Sequence, residues 1–361
     1  MEIKRVKENL NENNTFPAFL TVIVPAYNVE RFLAQCLDSL LHQTMMAHKV
    51  IIVNDGSTDS TGTIARRYSD EHPELFLYIE QENRGLGAAR NRGMQDVQTE
   101  FVTFLDSDDW LMPRYVELLF KRLQEENEVP ELIFTLPRIY DMATNTFEPW
   151  MDQSLFYMLF PTSGTVISSK TDPRIYALEP NACRRVYSTS FLKQVDFAFP
   201  EGTKWEDVEP HFQLLHLANR CIGEGNIGFC YRINSGGQIT TSIGPDRLQV
   251  VSVFSRAFNK ALQESWDGIE LSYILKMMTN FMEWCINCSS VPVRKQLVEK
   301  VHDLYNAVPN ERFRNFYKDI HLARKQRLYV ELLRSPFYKV VKNEHYFKVF
   351  RGVMKRIIRK A

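Results

Sequence analysis

Residues Phe101–Trp110 read FVTFLDSDDW. An apolar run, Phe101 to Leu105, stops in three carboxylates, Asp106, Asp108 and Asp109, which repel one another unless they are solvated or neutralised by a cation. A short buried strand that ends in a polar cluster is what a doubly wound α/β sheet shows at the carboxyl ends of its strands, where such sheets place their ligands. A D-x-D pair there suits a hard divalent cation with oxygen ligands, Mg²⁺ or Mn²⁺, bridging carboxylates to phosphates. The competing reading is a solvated turn, with Asp109 capping a helix that begins near Pro113.

Upstream of this stretch the same rhythm repeats. Residues 20–24 (LTVIV) and 50–53 (VIIV) are β-branched runs expected of parallel strands covered on both faces. Between them Phe32, Leu33, Cys36, Leu37, Leu40 and Leu41 recur at helical spacing. A helix over 60–68, a strand over 75–79 and a helix over 87–97 complete the alternation. After the strands stand Pro25-Ala26-Tyr27-Asn28, then Asn54-Asp55-Gly56-Ser57-Thr58-Asp59, then Asp106-Ser107-Asp108-Asp109, so polar turn-forming clusters converge on one edge. Capped loops of this kind also follow strands in α/β proteins without a ligand. The segment Glu82–Asn91 (ENRGLGAARN) leads into a helix with Gly85 and Gly87 for close backbone approach, and with Arg84 and Arg90 to clamp a phosphate or base. It has neither the G-x-G-x-x-G order of a dinucleotide site nor a P-loop ending.

The chain of 361 residues is 44% apolar and 24% charged, enough for a sizeable core and for two domains. Its 44 Lys and Arg balance 44 Asp and Glu, which argues against a nucleic-acid partner. Six scattered cysteines without framework spacing suit a reducing compartment, and Cys285-x-x-Cys288 reads as two packed thiols on a helix rather than a zinc site. The N-terminal residues 1–18 form a polar lead-in without the apolar core of a secretory signal, and no run is long enough to span a bilayer. The expectation is a cytoplasmic protein.

The stretches Val24–Asn28, Val53–Asp59, Asn83–Asn91 and Leu105–Asp109 together resemble, in order and spacing, the nucleotide-sugar half of the family 2 glycosyltransferases. That family has the GT-A fold, a Rossmann-like, mostly parallel sheet flanked by helices, and inverts the anomeric centre. The resemblance continues more loosely through Glu179–Tyr187, Phe199–Gly202 and Trp205-Glu206-Asp207, and then through Tyr231-Arg232 to Ser242. It implies a nucleotide-sugar-binding half over 19–112, an acceptor-binding half over 113–247 and a C-terminal helical region over 248–361. It implies that Pro25, Tyr27 and Asp55 surround the uracil of a UDP-sugar, with Asn28, Arg84, Gly87 and Arg90 near the nucleotide. Asp106 and Ser107 would meet the ribose or metal shell, Asp108 would ligate Mn²⁺ or Mg²⁺, and His211 would supplement it or else pack as a core histidine. Arg232, Thr240, Thr241 and Ser242 would meet the diphosphate, Trp205 and Glu206 would shape the base loop, and Asp207 would be the catalytic base. Read from the residues alone, without the upstream motifs, Glu206-Asp207 is an acidic pair at a helix N-terminus.

The resemblance further implies transfer of one sugar to a glycan, lipid-linked or glycoprotein acceptor, because the membrane spans and the Gln-x-x-Arg-Trp motif of processive synthases are missing. The alternatives are a sugar nucleotidyltransferase or a non-catalytic partner subunit with the same fold. Residues 345–361 place Tyr346, Phe347, Phe350, Val353, Met354, Ile357 and Ile358 on one helical face against a basic one, a pattern for peripheral contact with the inner face of a membrane, a partner groove or the chain's own domain. A homo-oligomer is compatible with the sequence.

Overall fold

The computed structural model describes residues 18–236, 242–320, 322 and 324–338, which fall into two compact units divided between Gly236 and Gly237. The first opens with β1 (Leu20–Ala26), α1 (Leu33–Leu41), β2 (Lys49–Asp55), α2 (Thr61–Glu71), β3 (Phe76–Gln81), α3 (Leu86–Met94) and β4 (Phe101–Phe104). β1 is buried along its whole length, as expected of a central strand with helices on both faces. Then come β5 (Trp110–Leu111), α4 (Tyr115–Glu125), β6 (Leu132–Asp141), β7 (Thr146–Pro149), α5 (Gln153–Leu159), β8 (Val166–Ile167), β9 (Arg185–Ser188), α6 (Thr189–Gln194), α7 (Val208–Leu217) and β10 (Cys221–Ile233).

These strands form one sheet in the order β3-β2-β1-β4-β9-β6-β10-β5, with β7 added beside β6 and β8 beside β10. β1 runs parallel to β2 and β4, whereas β9 lies antiparallel between β4 and β6. β6 therefore runs the same way as β4, and β10 is parallel to β6. One edge of the sheet thus collects the loops after β1, β2, β3 and β4 together with the ends of β6 and β10. Helix α3 lies close on this sheet because Gly93 faces Ile23, whose Cγ2 would stand 2.6 Å from an added Cβ.

The second unit is helical in its described residues: α8 (Gln249–Gln263), α9 (Gly268–Cys288), α10 (Val291–Ala307), α11 (Asn310–Asp319) and α12 (Arg324–Arg334). A capping box by Asp267 and Glu270 starts α9. Cys285 and Cys288 lie on this helix, but only Cys285 is packed, beside Arg247; Cys288 is exposed, which corrects the reading of two buried thiols. Among the described residues no helix is long and apolar enough to cross a membrane. The basic segment 345–361 and most of the lead-in lie outside the described residues.

Candidate active site

The loops at the strand ends are tied to one another by backbone geometry. Asn28 takes a left-handed conformation (φ 48°), which aims its N–H at Ser57 Oγ (3.0 Å) and lets its Oδ1 accept from Thr58 N (2.8 Å). Asp55, 3% exposed, accepts from Gln81 Nε2 (2.7 Å) and Arg84 N (2.9 Å) on Oδ1 and from Gly85 N (2.8 Å) on Oδ2. Asp55 thus pins the loop after β3 to the end of β2. Of the roughly four lone-pair positions on a carboxylate, three are committed, so a nucleobase N–H meets at most one of them. Gly56 is required where it stands: its φ is +68°, and a Cβ would lie 2.8 Å from Asn83 N. Pro25 is buried within β1, while Tyr27 at its end is 50% exposed, an aromatic face open to a planar ligand.

The acidic loop rests on two buried arginines. Arg90, on α3 and 2% exposed, donates from Nη2 to Asp106 Oδ1 (2.9 Å) and from Nη1 to Glu206 Oε1 (2.7 Å). Its guanidinium lies between the rings of Phe104 and Phe199, 5.7 and 5.3 Å from their centroids. Burial alone opposes a charge there, yet Asp106 and Glu206 more than offset it and hold the arginine firmly protonated. Arg90 therefore lies beneath the site, joining the acidic loop to the base loop, rather than at the surface where a nucleotide would touch it. Arg232, at the end of β10, is buried as well. It donates its backbone N–H to Asp109 Oδ1 (2.7 Å), Nε to the Asp108 carbonyl (2.6 Å) and Nη2 to Gln35 Oε1 (2.7 Å). It props the loop from behind, which departs from the expectation of a direct diphosphate contact.

Asp109 does not cap a helix; its side chain is buried under Arg232, and its Oδ2 has no hydrogen-bond partner among the described residues. Burial, then Asp108 and Asp106, push its carboxyl well above the usual range. Burial and the neighbouring Asp106 also push Asp108 up to about 6. A loop short of positive charge in this way fits a divalent cation held by Asp108 and Asp106. Among the described residues no three His, Cys, Asp or Glu side chains converge as a cage for a metal ion. Ser107 is buried in the same loop.

His211 does not join this group. It is fully buried, with Nδ1 against Arg185 and Nε2 3.1 Å from the Tyr176 carbonyl, and burial followed by Arg185 depresses its pKa well below the ordinary value. Both ring nitrogens are occupied, which corrects its candidacy as a supplementary ligand.

The base loop, residues 199–207, is held by contacts that the sequence left unread. Asn91 and Phe199 exchange bonds, Nδ2 to the Phe199 carbonyl (2.9 Å) and Phe199 N to Oδ1 (2.8 Å). Arg84, expected at the nucleotide, pairs at the surface with Glu201 (2.7 Å). Gly87, expected near the nucleotide, admits this loop: a Cβ there would stand 2.3 Å from the Pro200 carbonyl oxygen. Trp205 and Glu206 are buried in the loop, and Asp207, partly exposed, stands at the N-terminus of α7 without capping it. Burial, then Glu206, push the Asp207 carboxyl well above its usual range. Glu179 lies near enough to repel it, and is itself pushed up to about 7 by burial and Asp152.

Ser242 belongs to the second unit, where its Oγ donates to Asp246 Oδ1 (2.7 Å) and accepts from Gly244 N (3.2 Å). Thr240 and Thr241 lie outside the described residues.

Comparison with known proteins adds the lineage. Residues 21–165 match the family described as Glycosyl transferase family 2. Glycosyltransferase GlyG of Streptococcus pneumoniae is 34% identical over 273 residues, 73% of this chain and 86% of that protein. Glycosyltransferase GlyA of the same organism is 52% identical over 106 residues, 29% of this chain but 15% of its own length, and three further bacterial relatives are likewise matched over 31% to 32% of theirs. Among solved structures, residues 1–349 of S. aureus TarS, crystallised with UDP-GlcNAc, superpose with a TM-score of 0.69 at 20% identity over 90% of both chains, a likeness of fold.

Proposed function

The chain belongs to glycosyltransferase family 2, and we propose that it transfers a single hexose or N-acetylhexosamine from a UDP-sugar to a hydroxyl of a glycan, lipid-linked or protein-linked acceptor, inverting the anomeric carbon. One observation carries this reading: buried Arg90 bonds both Asp106 of the acidic loop and Glu206 beside Asp207, so the two halves expected to do the chemistry form one cluster. The UDP-GlcNAc complex of the structurally similar TarS supports the choice of a uridine nucleotide.

The residues divide the work as follows. Tyr27 offers the base a ring face, and Asp55 orders the loops around it. Asp108 and Asp106 would hold a divalent cation, Mn²⁺ or Mg²⁺, which supplies positive charge to the departing diphosphate. Asp207 takes the acceptor proton as the new bond forms, since a hydroxyl is a weak nucleophile near neutral pH. Its raised pKa makes it a better proton acceptor than an ordinary carboxylate once it is ionised. Direct displacement from the face opposite the leaving group inverts the centre without a covalent intermediate on the enzyme.

Titration calorimetry with UDP, GDP, CDP and dTDP, with and without Mn²⁺, tests the donor half. The expected result is metal-dependent preference for UDP that Asp108→Asn abolishes. Asp207→Asn should bind UDP like the native protein and give no transfer product. Release of pyrophosphate instead of UDP would identify a nucleotidyltransferase, and absence of nucleotide binding would refute the assignment.

A further inference from the structure

Beyond the acidic loop, aromatic rings on three strands and an arginine on a fourth form a row across the sheet. Arg232 stands opposite Tyr140 in the β10–β6 register, Tyr140 opposite Phe147 across the β6–β7 hairpin, and Trp110 opposite Cys230, two residues before Arg232. Alternation along the strands places Trp110, Arg232, Tyr140 and Phe147 on one face of the sheet. The rings touch in sequence: Trp110 to Tyr140 at 5.4 Å and Tyr140 to Phe147 at 5.0 Å between centroids. Guanidinium groups back them, Arg232 at 4.7 Å from Trp110 and Arg138 at 4.7 Å from Phe147. The row begins at the residue after Asp109 and ends on Phe147, which is 46% exposed.

Resting on the transferase reading above, we infer that Trp110, Tyr140 and Phe147 form a platform that receives a sugar ring of the acceptor. Position supports it. β6 and β10 run the same way as β4, so this row and the Asp106–Asp109 loop share the edge at which the candidate base also stands. Composition supports it too. A hexose presents an apolar C–H face within a rim of hydroxyls, and the row offers the exposed ring of Phe147, with Tyr140 and Trp110 behind it, framed by Arg138 and by Asn145, whose Oδ1 accepts from Tyr140 Oη at 2.8 Å. An acyl chain laid there would desolvate those polar groups without replacing their bonds.

Saturation-transfer NMR and titration with methyl glycosides of glucose, galactose, N-acetylglucosamine and N-acetylgalactosamine, in the presence of saturating UDP and Mn²⁺, provide the test. At least one glycoside is expected to bind, and Phe147→Ala to weaken it about tenfold, the scale of losing one aromatic face, while Phe147→Trp retains it. UDP affinity, measured in parallel, should not move in either variant. Four outcomes overturn the platform: no glycoside binds although UDP does, Phe147→Ala leaves glycoside binding unchanged, UDP affinity falls together with it, or the variant instead loses binding to anionic phospholipid vesicles. Failure of the native protein to bind UDP at all would sink the transferase reading itself, a result separate from the other four.

Discussion

Replacing Arg90 with glutamine removes the cation that two carboxylates share in the interior. Each charge-assisted hydrogen bond contributes about 1.5–3 kcal/mol, so the bonds to Asp106 and Glu206 together are worth about 3–6 kcal/mol. Breaking a buried pair from one side costs about 3–5 kcal/mol, because the remaining charge is stranded. Glu206 is the more exposed to that penalty, being 3% accessible with Oε2 already lacking a hydrogen-bond partner among the described residues. Taking about 4 kcal/mol and about 1.4 kcal/mol per decade, the base loop should open about a thousandfold more often. Global stability of about 5–15 kcal/mol leaves the chain folded in all but the least favourable case.

Hydrogen exchange followed by peptide mass resolves this locally. Amides of 199–207 and 86–94 should exchange about a thousandfold faster in Arg90→Gln, with α9 as an unaffected control. Arg90→Lys should fall between, since one ammonium cannot span both carboxylates and lie flat between Phe104 and Phe199. Adding Glu206→Gln to Arg90→Gln should slow exchange again, because the stranded charge is gone. The pH dependence has a definite sign. Without Arg90 the folded-state pKa of Glu206 lies further above its unfolded value, so the penalty is complete above the folded pKa and vanishes as pH falls below about 4.3. Exchange in 199–207 that rises less than threefold, or a double variant whose two effects simply add, would refute the coupling.

Other consequences can be measured separately. Gly87→Ala drives a Cβ to 2.3 Å from a backbone oxygen that has no rotamer to escape into, so transfer should slow at least tenfold, the scale of about 1–3 kcal/mol of overpacking, with UDP affinity nearly unchanged in calorimetry. Asp55→Asn presents an amide to N–H donors of Arg84 and Gly85, and UDP binding should weaken about tenfold or more. Asp108 at about 6 and Glu179 at about 7 both lie above their unfolded values, so the native state holds protons the unfolded chain has released; the melting temperature of the metal-free protein should fall as pH rises from 5 to 7.5, and Glu179→Gln should flatten that slope. Mn²⁺ with UDP should raise the melting temperature more at pH 7.5 than at pH 5, because protons and metal compete for Asp108, and chelation should abolish the increment.

What the sequence made legible follows the range of the forces involved. The strands and helices of 20–105 are set by apolar periodicity and by turn residues acting over a few positions, so alternation alone exposed the sheet and the edge where its loops meet. The roles of single polar residues depend on partners far along the chain. Arg90 meets Glu206 across 116 positions, and Gly87 meets Pro200 across more than a hundred. Both glycine and arginines in ENRGLGAARN therefore look like a phosphate cradle when only neighbours are visible. The insertion of antiparallel β9 between β4 and β6 has no local signature either, and it is this strand that orients β6, so that rings from three separate segments and Arg232 from a fourth come together.

The two buried arginines change what kind of ligand the acidic loop can accept. Asp106 and Glu206 pair with Arg90, while Asp108 and Asp109 feel the charge of Arg232 without a carboxylate–guanidinium bond to it, so four carboxylates share two guanidinium groups and about two negative charges remain when all are ionised. Burial first, and then the neighbouring carboxylates, raise Asp108 and Asp109, so part of their proton affinity expresses the same deficit. A nucleoside diphosphate, itself anionic, gains nothing by approaching such a loop alone. With a divalent cation the charge at the loop is close to balanced, and the diphosphate can complete the ion's shell. Metal and nucleotide should therefore bind with positive coupling, each tightening the other by the same factor. A titration in which UDP affinity is equal with and without Mn²⁺ would mean that the negative charge is satisfied by protons, and Asp108 would lose its assigned role.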